Sequence, residues 1–101
     1  MRNYSRKLKQ YKLPRDRVQE LRRLCIGMED KTIVHESIND AIGTGDGLHE
    51  FMFRHVTRND WPWSKLEANG VPCNGDTFRI YRHKFYYYLD KRLNGANNGT
   101  E

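Results

Sequence analysis

Four histidines and two cysteines are the residues with which this chain of 101 could do metal or nucleophilic chemistry. Zinc needs ligands paired at short spacings, typically two histidines four apart on one helical face. His49-Glu50-Phe51-Met52-Phe53 opens like the helix of a zinc protease, but Phe53 stands where the second histidine belongs. His49 and His55 are six apart and do not share a helical face. The residues therefore predict no metal site and a partly buried His55. Cys25 and Cys73 lie 48 residues apart with no CxxC spacing, which predicts free thiols in a reducing cytoplasm. Cys73 follows Pro72 in a turn near a basic helix, a setting that favours thiolate. A thiol with no assignable base and acid does not make a nucleophile system. The reading is thus not an enzyme, and no cofactor.

Gly43-Thr44-Gly45-Asp46-Gly47 precedes a helical pattern, a position in which glycine-rich loops can cradle phosphate. It follows a predicted helix rather than a strand and has no Lys-Ser/Thr pair after it, which predicts a helix–helix connection. Asn98-Gly99-Thr100 matches a glycosylation triplet, but no apolar stretch follows the basic start Met1-Arg2-Asn3-Tyr4-Ser5, so no secretory signal is expected. No run of eighteen apolar residues occurs, and no membrane partner is expected.

These residues need elements to position them. Pro14 suits the first turn of a helix, since its missing N–H costs nothing there. Val18, Leu21, Cys25 and Met28 then recur at helical steps, with Leu24 beside them and Gly27 as the stop. Val34, Ile38, Ala41 and Ile42 form a second stripe ended by Gly43 and Gly45. A third, capped by Asp46, carries Leu48, Phe51, Met52, His55 and Val56. A short fourth helix is capped by Asn59 or Asp60, with Trp61 and Pro62 in its first turn and Trp63 and Leu66 on its buried face. After the turn-rich run 69–75, the last helix spans about Asp76 to Leu93, with the stripe Phe78, Tyr81, Phe85, Tyr88 and Leu89. The expected fold is all-α, a small domain of four to five helices over 13–93. A basic arm at 1–12 precedes it, and a tail at 94–101 is expected to be disordered.

The chain's formal charge of +5 is unevenly spread. Residues 1–31 carry a local +6, residues 32–60 a local −3, and residues 61–101 a local +2. Basic ends around an acidic middle suit a polyanion, because neutralising phosphates with Lys and Arg releases counterions. On the last helix, the face opposite the apolar stripe presents Asp76, Arg79, Ile80 and His83, with Arg82 and Lys84 on its flanks. A helix of this kind after a short helix and a glycine-containing turn is what a helix-turn-helix reader requires, although seven turn residues exceed the compact motif's three or four. Tyr86-Tyr87-Tyr88 point about 100° apart on one helix and make no stacking platform for single strands. Tyr88 is expected in the core, and Tyr86 and Tyr87 at an interface or beneath the N-terminal arm.

The runs Trp61-Pro62-Trp63-Ser64-Lys65-Leu66, Val71-Pro72-Cys73, Asp76-Thr77-Phe78, Tyr81-Arg82-His83-Lys84-Phe85 and Leu89-Asp90-Lys91-Arg92 resemble short phage and prophage proteins of Firmicutes. Their C-terminal half is similar to the helix-turn-helix of sigma-70 region 4, and late-gene activators of the RinA and ArpU type belong to the same broad group. The opening Tyr11-Lys12-Leu13-Pro14-Arg15-Asp16-Arg17, with Glu20-Leu21 and Cys25, extends the resemblance over residues 8–93. It departs at Asn74-Gly75, where the family often has Ser-Arg, and at Arg82-His83-Lys84, where Arg-Arg-Lys is common. The first departure removes an arginine suited to a phosphate.

The resemblance implies a phage-type transcriptional regulator in the cytoplasm of a bacterial host, its helix-turn-helix at about 60–93, acting on double-stranded DNA with host RNA polymerase. Oligomeric state, a homodimer included, stays open. Arg79, His83 and Ile80 are expected at base edges. Arg82, Lys84, Lys65, Thr77 and Asn74 are expected at phosphates, and Arg6, Lys7, Lys9 and Lys12 form a basic arm along the backbone. The alternative is a protein–protein adaptor docking on RNA polymerase or another phage protein through Tyr86, Tyr87 and Trp61.

Overall fold

The computed structural model describes residues 13–43 and 47–97. Among them are five helices and no strand. Helix α1 (Arg15–Gly27) starts directly after Pro14, whose carbonyl accepts from the Val18 N–H at 3.1 Å. It buries Leu21 and Cys25. Its C-terminal carbonyls find a partner in Lys31, whose Nζ donates to the Cys25 carbonyl at 3.0 Å and to that of Met28, a cation at the negative end of the helix.

Helix α2 (Thr32–Ile42) buries Val34, Ser37, Ile38 and Ala41 and ends at Gly43, whose φ is 94°. The Asp30 carboxylate just before it accepts from the Thr32 hydroxyl at 2.6 Å and N–H at 3.0 Å, which lowers its pKa. Helix α3 (Leu48–Thr57) buries Leu48, Met52, His55, Val56 and Thr57. Gly47, with φ 81°, stands immediately before it; Asp46, the expected cap, lies outside the described residues.

Helix α4 (Trp63–Ala68) is shorter than expected. Pro62 is extended (ψ 173°) and Trp61 precedes the helix, because its carbonyl serves His55 instead of a helical turn. Leu66 is fully buried, and Trp63 packs on Phe78 with ring centroids 5.4 Å apart.

Helix α5 (Gly75–Asn97) is capped by Asn74, whose Oδ1 accepts from the Thr77 N–H at 2.8 Å. It runs four residues past Leu93, and there Asn94 Nδ2 donates to Asp90 Oδ1 at 3.1 Å. The remainder of the expected tail, 98–101, lies outside the described residues, as does the 1–12 arm.

Helix α5 packs chiefly on α2 and also on α1; α3 lies against α1 and α2, and α4 rests on α3. The core gathers Leu21, Ile38, Met52, Leu66, Phe85 and Leu89, all fully buried. Arg92 ties α5 to α2 through Glu36 (3.1 Å) and Asp40 (2.5 Å), and Arg17 on α1 binds Asp90 at 2.6 Å. The tyrosines depart from expectation. Tyr86 is the core residue, 3% exposed, and Tyr88 is only partly buried. The buried face of α5 is rotated toward α1, where Tyr86 meets the surroundings of Cys25 and Arg22. Burial raises the Tyr86 hydroxyl pKa well above its ordinary value. It likewise pushes the Cys25 thiol up to about 12, so this cysteine is an inert core residue.

Candidate functional site

The feature that stands out is a convergence of cations from two helices. Arg22 on α1 and Arg79 on α5 both lie close enough to Arg82 on α5 for their charges to act on it. None of the three has a carboxylate within ion-pairing distance among the described residues. By contrast, Arg17, Arg54, Arg58 and Arg92 are all paired with Asp or Glu. Burial lowers the pKa of Arg82, and Arg22 and Arg79 lower it further, while Tyr86 acts in the opposite sense.

His55 organises the floor of this cluster. It is 7% exposed. Its Nδ1 is 2.8 Å from the Trp61 carbonyl and its Nε2 is 3.4 Å from Arg82 Nη1. A carbonyl only accepts and a guanidinium only donates, so the tautomer follows: Nδ1–H donates to Trp61, and Nε2 accepts from Arg82. Burial pulls the His55 pKa down and Arg82 and Arg22 add to that, whereas the Trp61 carbonyl opposes it. The ring meets Phe78 edge-on, with centroids 5.2 Å apart. His55, Trp63, Gly75, Phe78, Arg79 and Arg82 together line a cleft of about 190 Å³ at the α5 N-terminus. Gly75 lies against Trp63: a Cβ there would come within 3.6 Å of the indole.

The sequence-predicted residues divide accordingly. Arg79 is exposed and Arg82 half-buried, and the two meet at the cleft. Arg82 was expected on an outer flank. Its side chain turns inward instead, because His55 supplies a buried acceptor. Ile80, His83 and Lys84 follow along α5, half-buried, with Lys84 Nζ 5.9 Å from the Tyr81 ring centroid. Thr77 sits half-buried in the first turn, and Asn74 is engaged as its cap. Lys65 on α4 is exposed, its Nζ 4.5 Å from the Trp61 ring centroid, with Arg54 flanking the same ring at 5.1 Å. Arg6, Lys7, Lys9 and Lys12 lie outside the described residues.

Sequence reasoning missed Arg22, which it counted as net charge but placed at no site. The signal was present: Arg22 is one residue after the buried Leu21 and three before Cys25, at the border of the apolar stripe. It also missed the pair formed by His35 Nδ1 and His49 Nε2, 2.9 Å apart across α2 and α3. That contact joins residues fourteen apart and has no spacing signature. Among the described residues no group of three or more His, Cys, Asp or Glu could hold a metal ion. No helix there is long and apolar enough to cross a membrane.

Compared with protein families, curated proteins and solved structures, the chain matches none.

Proposed function

We propose that this protein is a duplex-DNA-binding transcriptional regulator of phage type, reading the major groove with α5. One observation carries the reading: Arg22, Arg79 and Arg82 converge without a carboxylate, while Arg17, Arg54, Arg58 and Arg92 are held in ion pairs. Holding like charges together costs free energy in the isolated protein, and a polyanion removes that cost while releasing its own counterions. Arg79 and Arg82 thus hold phosphates at the edge of the groove. Arg79 also shares an α5 face with His83, which with Ile80 gives the helix side chains that reach bases. The short α4, the connection at 69–74 and the capped α5 supply the order of elements of a helix-turn-helix. The sequence resemblance adds host RNA polymerase as a partner and a bacterial cytoplasm as the setting.

The adaptor alternative loses one of its three contacts, since Tyr86 is buried. Gel shifts of duplex DNA over a salt series, with selection of bound sequences from a random pool, separate the two readings. A regulator enriches a defined sequence and binds more weakly as salt rises. An adaptor enriches none and co-purifies with a protein instead.

A further inference from the structure

The cleft at the α5 N-terminus has a chemical property beyond attraction of a polyanion. His55 presents Nε2 to Arg82, and its other nitrogen is already committed to the Trp61 carbonyl. With the cleft empty, Nε2 must stay unprotonated to accept from Arg82. A proton there would face Arg82 and Arg22 with no counter-ion. An oxyanion in the cleft reverses this. It accepts from Arg82, freeing Nε2, and its charge favours a proton on that nitrogen, which then donates to a second oxygen. The groups facing His55 are Arg22 from α1, Arg82 and Phe78 from α5, and the Trp61 carbonyl from the α3–α4 connection. Arg79 and Tyr86 act on Arg82 behind them, and none of these groups is a carboxylate.

We propose that the cleft lined by His55, Trp63, Phe78, Arg79 and Arg82 is a binding site for a single tetrahedral oxyanion of the phosphate type, and that occupancy is coupled to uptake of one proton by His55 Nε2. The proton comes from solvent and no bond between heavy atoms is made or broken. The proposal shares its arginines with the DNA reading and rests on that reading only for the source of the phosphate, a backbone diester as opposed to a free ion. Trp63 and Phe78 close the sides, so the cleft favours one compact anion with apolar flanks over an extended chain of charges.

The test uses the full chain and follows the His55 ring protons by NMR from pH 5 to 8. Sulfate is the small probe, because its charge is constant over that range, and a short duplex is the macromolecular one. Saturating sulfate should raise the His55 titration midpoint by about one pH unit, and affinity for sulfate should rise up to about tenfold as pH falls through the two midpoints. Arg82→Gln should abolish the displacement with His55 still present, and His55→Gln should leave sulfate binding independent of pH. A wild-type midpoint unmoved by saturating sulfate overturns the proposal, whatever the folding of either variant. The duplex arm decides the source. A duplex that binds and raises the midpoint identifies a backbone phosphate as the ligand. Sulfate acting alone, with no duplex binding, supports the cleft and refutes the DNA reading. A duplex that binds while sulfate leaves the midpoint unmoved refutes the cleft and spares the DNA reading.

Discussion

Replacing Arg82 with methionine should make the protein more stable. The guanidinium is half-buried, faces Arg22 and Arg79, and has no carboxylate partner among the described residues. Methionine keeps an unbranched apolar stem in the cleft that Arg82 lines together with Phe78, and removes the charge. Each like-charged neighbour removed is worth on the order of 0.5–1 kcal/mol at the dielectric of a protein surface, and relief of desolvation acts in the same direction. Against this stands one hydrogen bond to His55, long at 3.4 Å, worth at most about 1 kcal/mol. The bared Nε2 opens on the cleft, where water can donate to it. The balance is a gain of about 1 kcal/mol, which for a domain of this size raises Tm by roughly 4–8 °C. Thermal unfolding followed by circular dichroism at pH 7.5 and low salt measures it. Added salt should then stabilise the wild type more than the variant, because only the wild type has this repulsion to screen. A Tm lowered by several degrees would refute the reasoning and make Arg82 a structural residue. Stability given up at a binding surface is a common cost of function.

Phe85→Ala empties the centre of the core, where Phe85 is fully exposed to protein and not at all to water; urea unfolding should show a loss of about 3–5 kcal/mol, a large share of the stability of a small domain. Two glycines should respond oppositely to alanine. Gly47, with φ 81°, should lose about 1 kcal/mol through strain alone, whereas helical Gly27, with nothing within 4 Å of its new Cβ, should gain about 0.5–1 kcal/mol. Stability should also fall on acidification. Burial holds the folded-state pKa values of His55 and His49 below the ordinary value of 6.5, so the unfolded chain binds more protons in that range. The loss begins as pH drops through about 6.5 and continues down to the folded values. Urea midpoints at pH 7.5 and 5.5 should differ accordingly, with a smaller difference in His55→Gln.

The helices were largely legible because their stop signals are local. Pro14 starts α1 and Gly43 ends α2 near the expected places, since a fixed φ at the one and a positive φ at the other decide there without tertiary help; Gly27 is the last residue of α1 and keeps an ordinary φ. Trp61 and Pro62, expected in the first turn of α4, stand before it, because a tertiary bond from His55 to the Trp61 carbonyl draws that segment out of the helix. The apolar stripe of α5 departs from expectation only at its tyrosines, for a related reason. Periodicity places Tyr81 and Tyr88 on the apolar stripe and Arg82 on the flank of the opposite face. Phe78, Phe85 and Leu89 are buried as expected, but the fold rotates this face toward α1, burying Tyr86 in place of Tyr88, while His55 draws Arg82 in. That same rotation explains why the site was half visible. Arg79 and Arg82 were identified on α5, but Arg22 is 57 residues before Arg79 and is brought there only by packing. The role of His55 depends on the direction of two hydrogen bonds, which no spacing encodes.

The most direct test of the central claim is the salt dependence of duplex binding. It compares the wild type with Arg79→Gln/Arg82→Gln by fluorescence anisotropy at fixed pH, after both are shown to be folded. The account predicts that the double variant binds more weakly and that its log–log salt slope is shallower by about two contacts, about 0.9 each. Equal affinity and equal slope, or no duplex binding by the wild type at low salt, would contradict it.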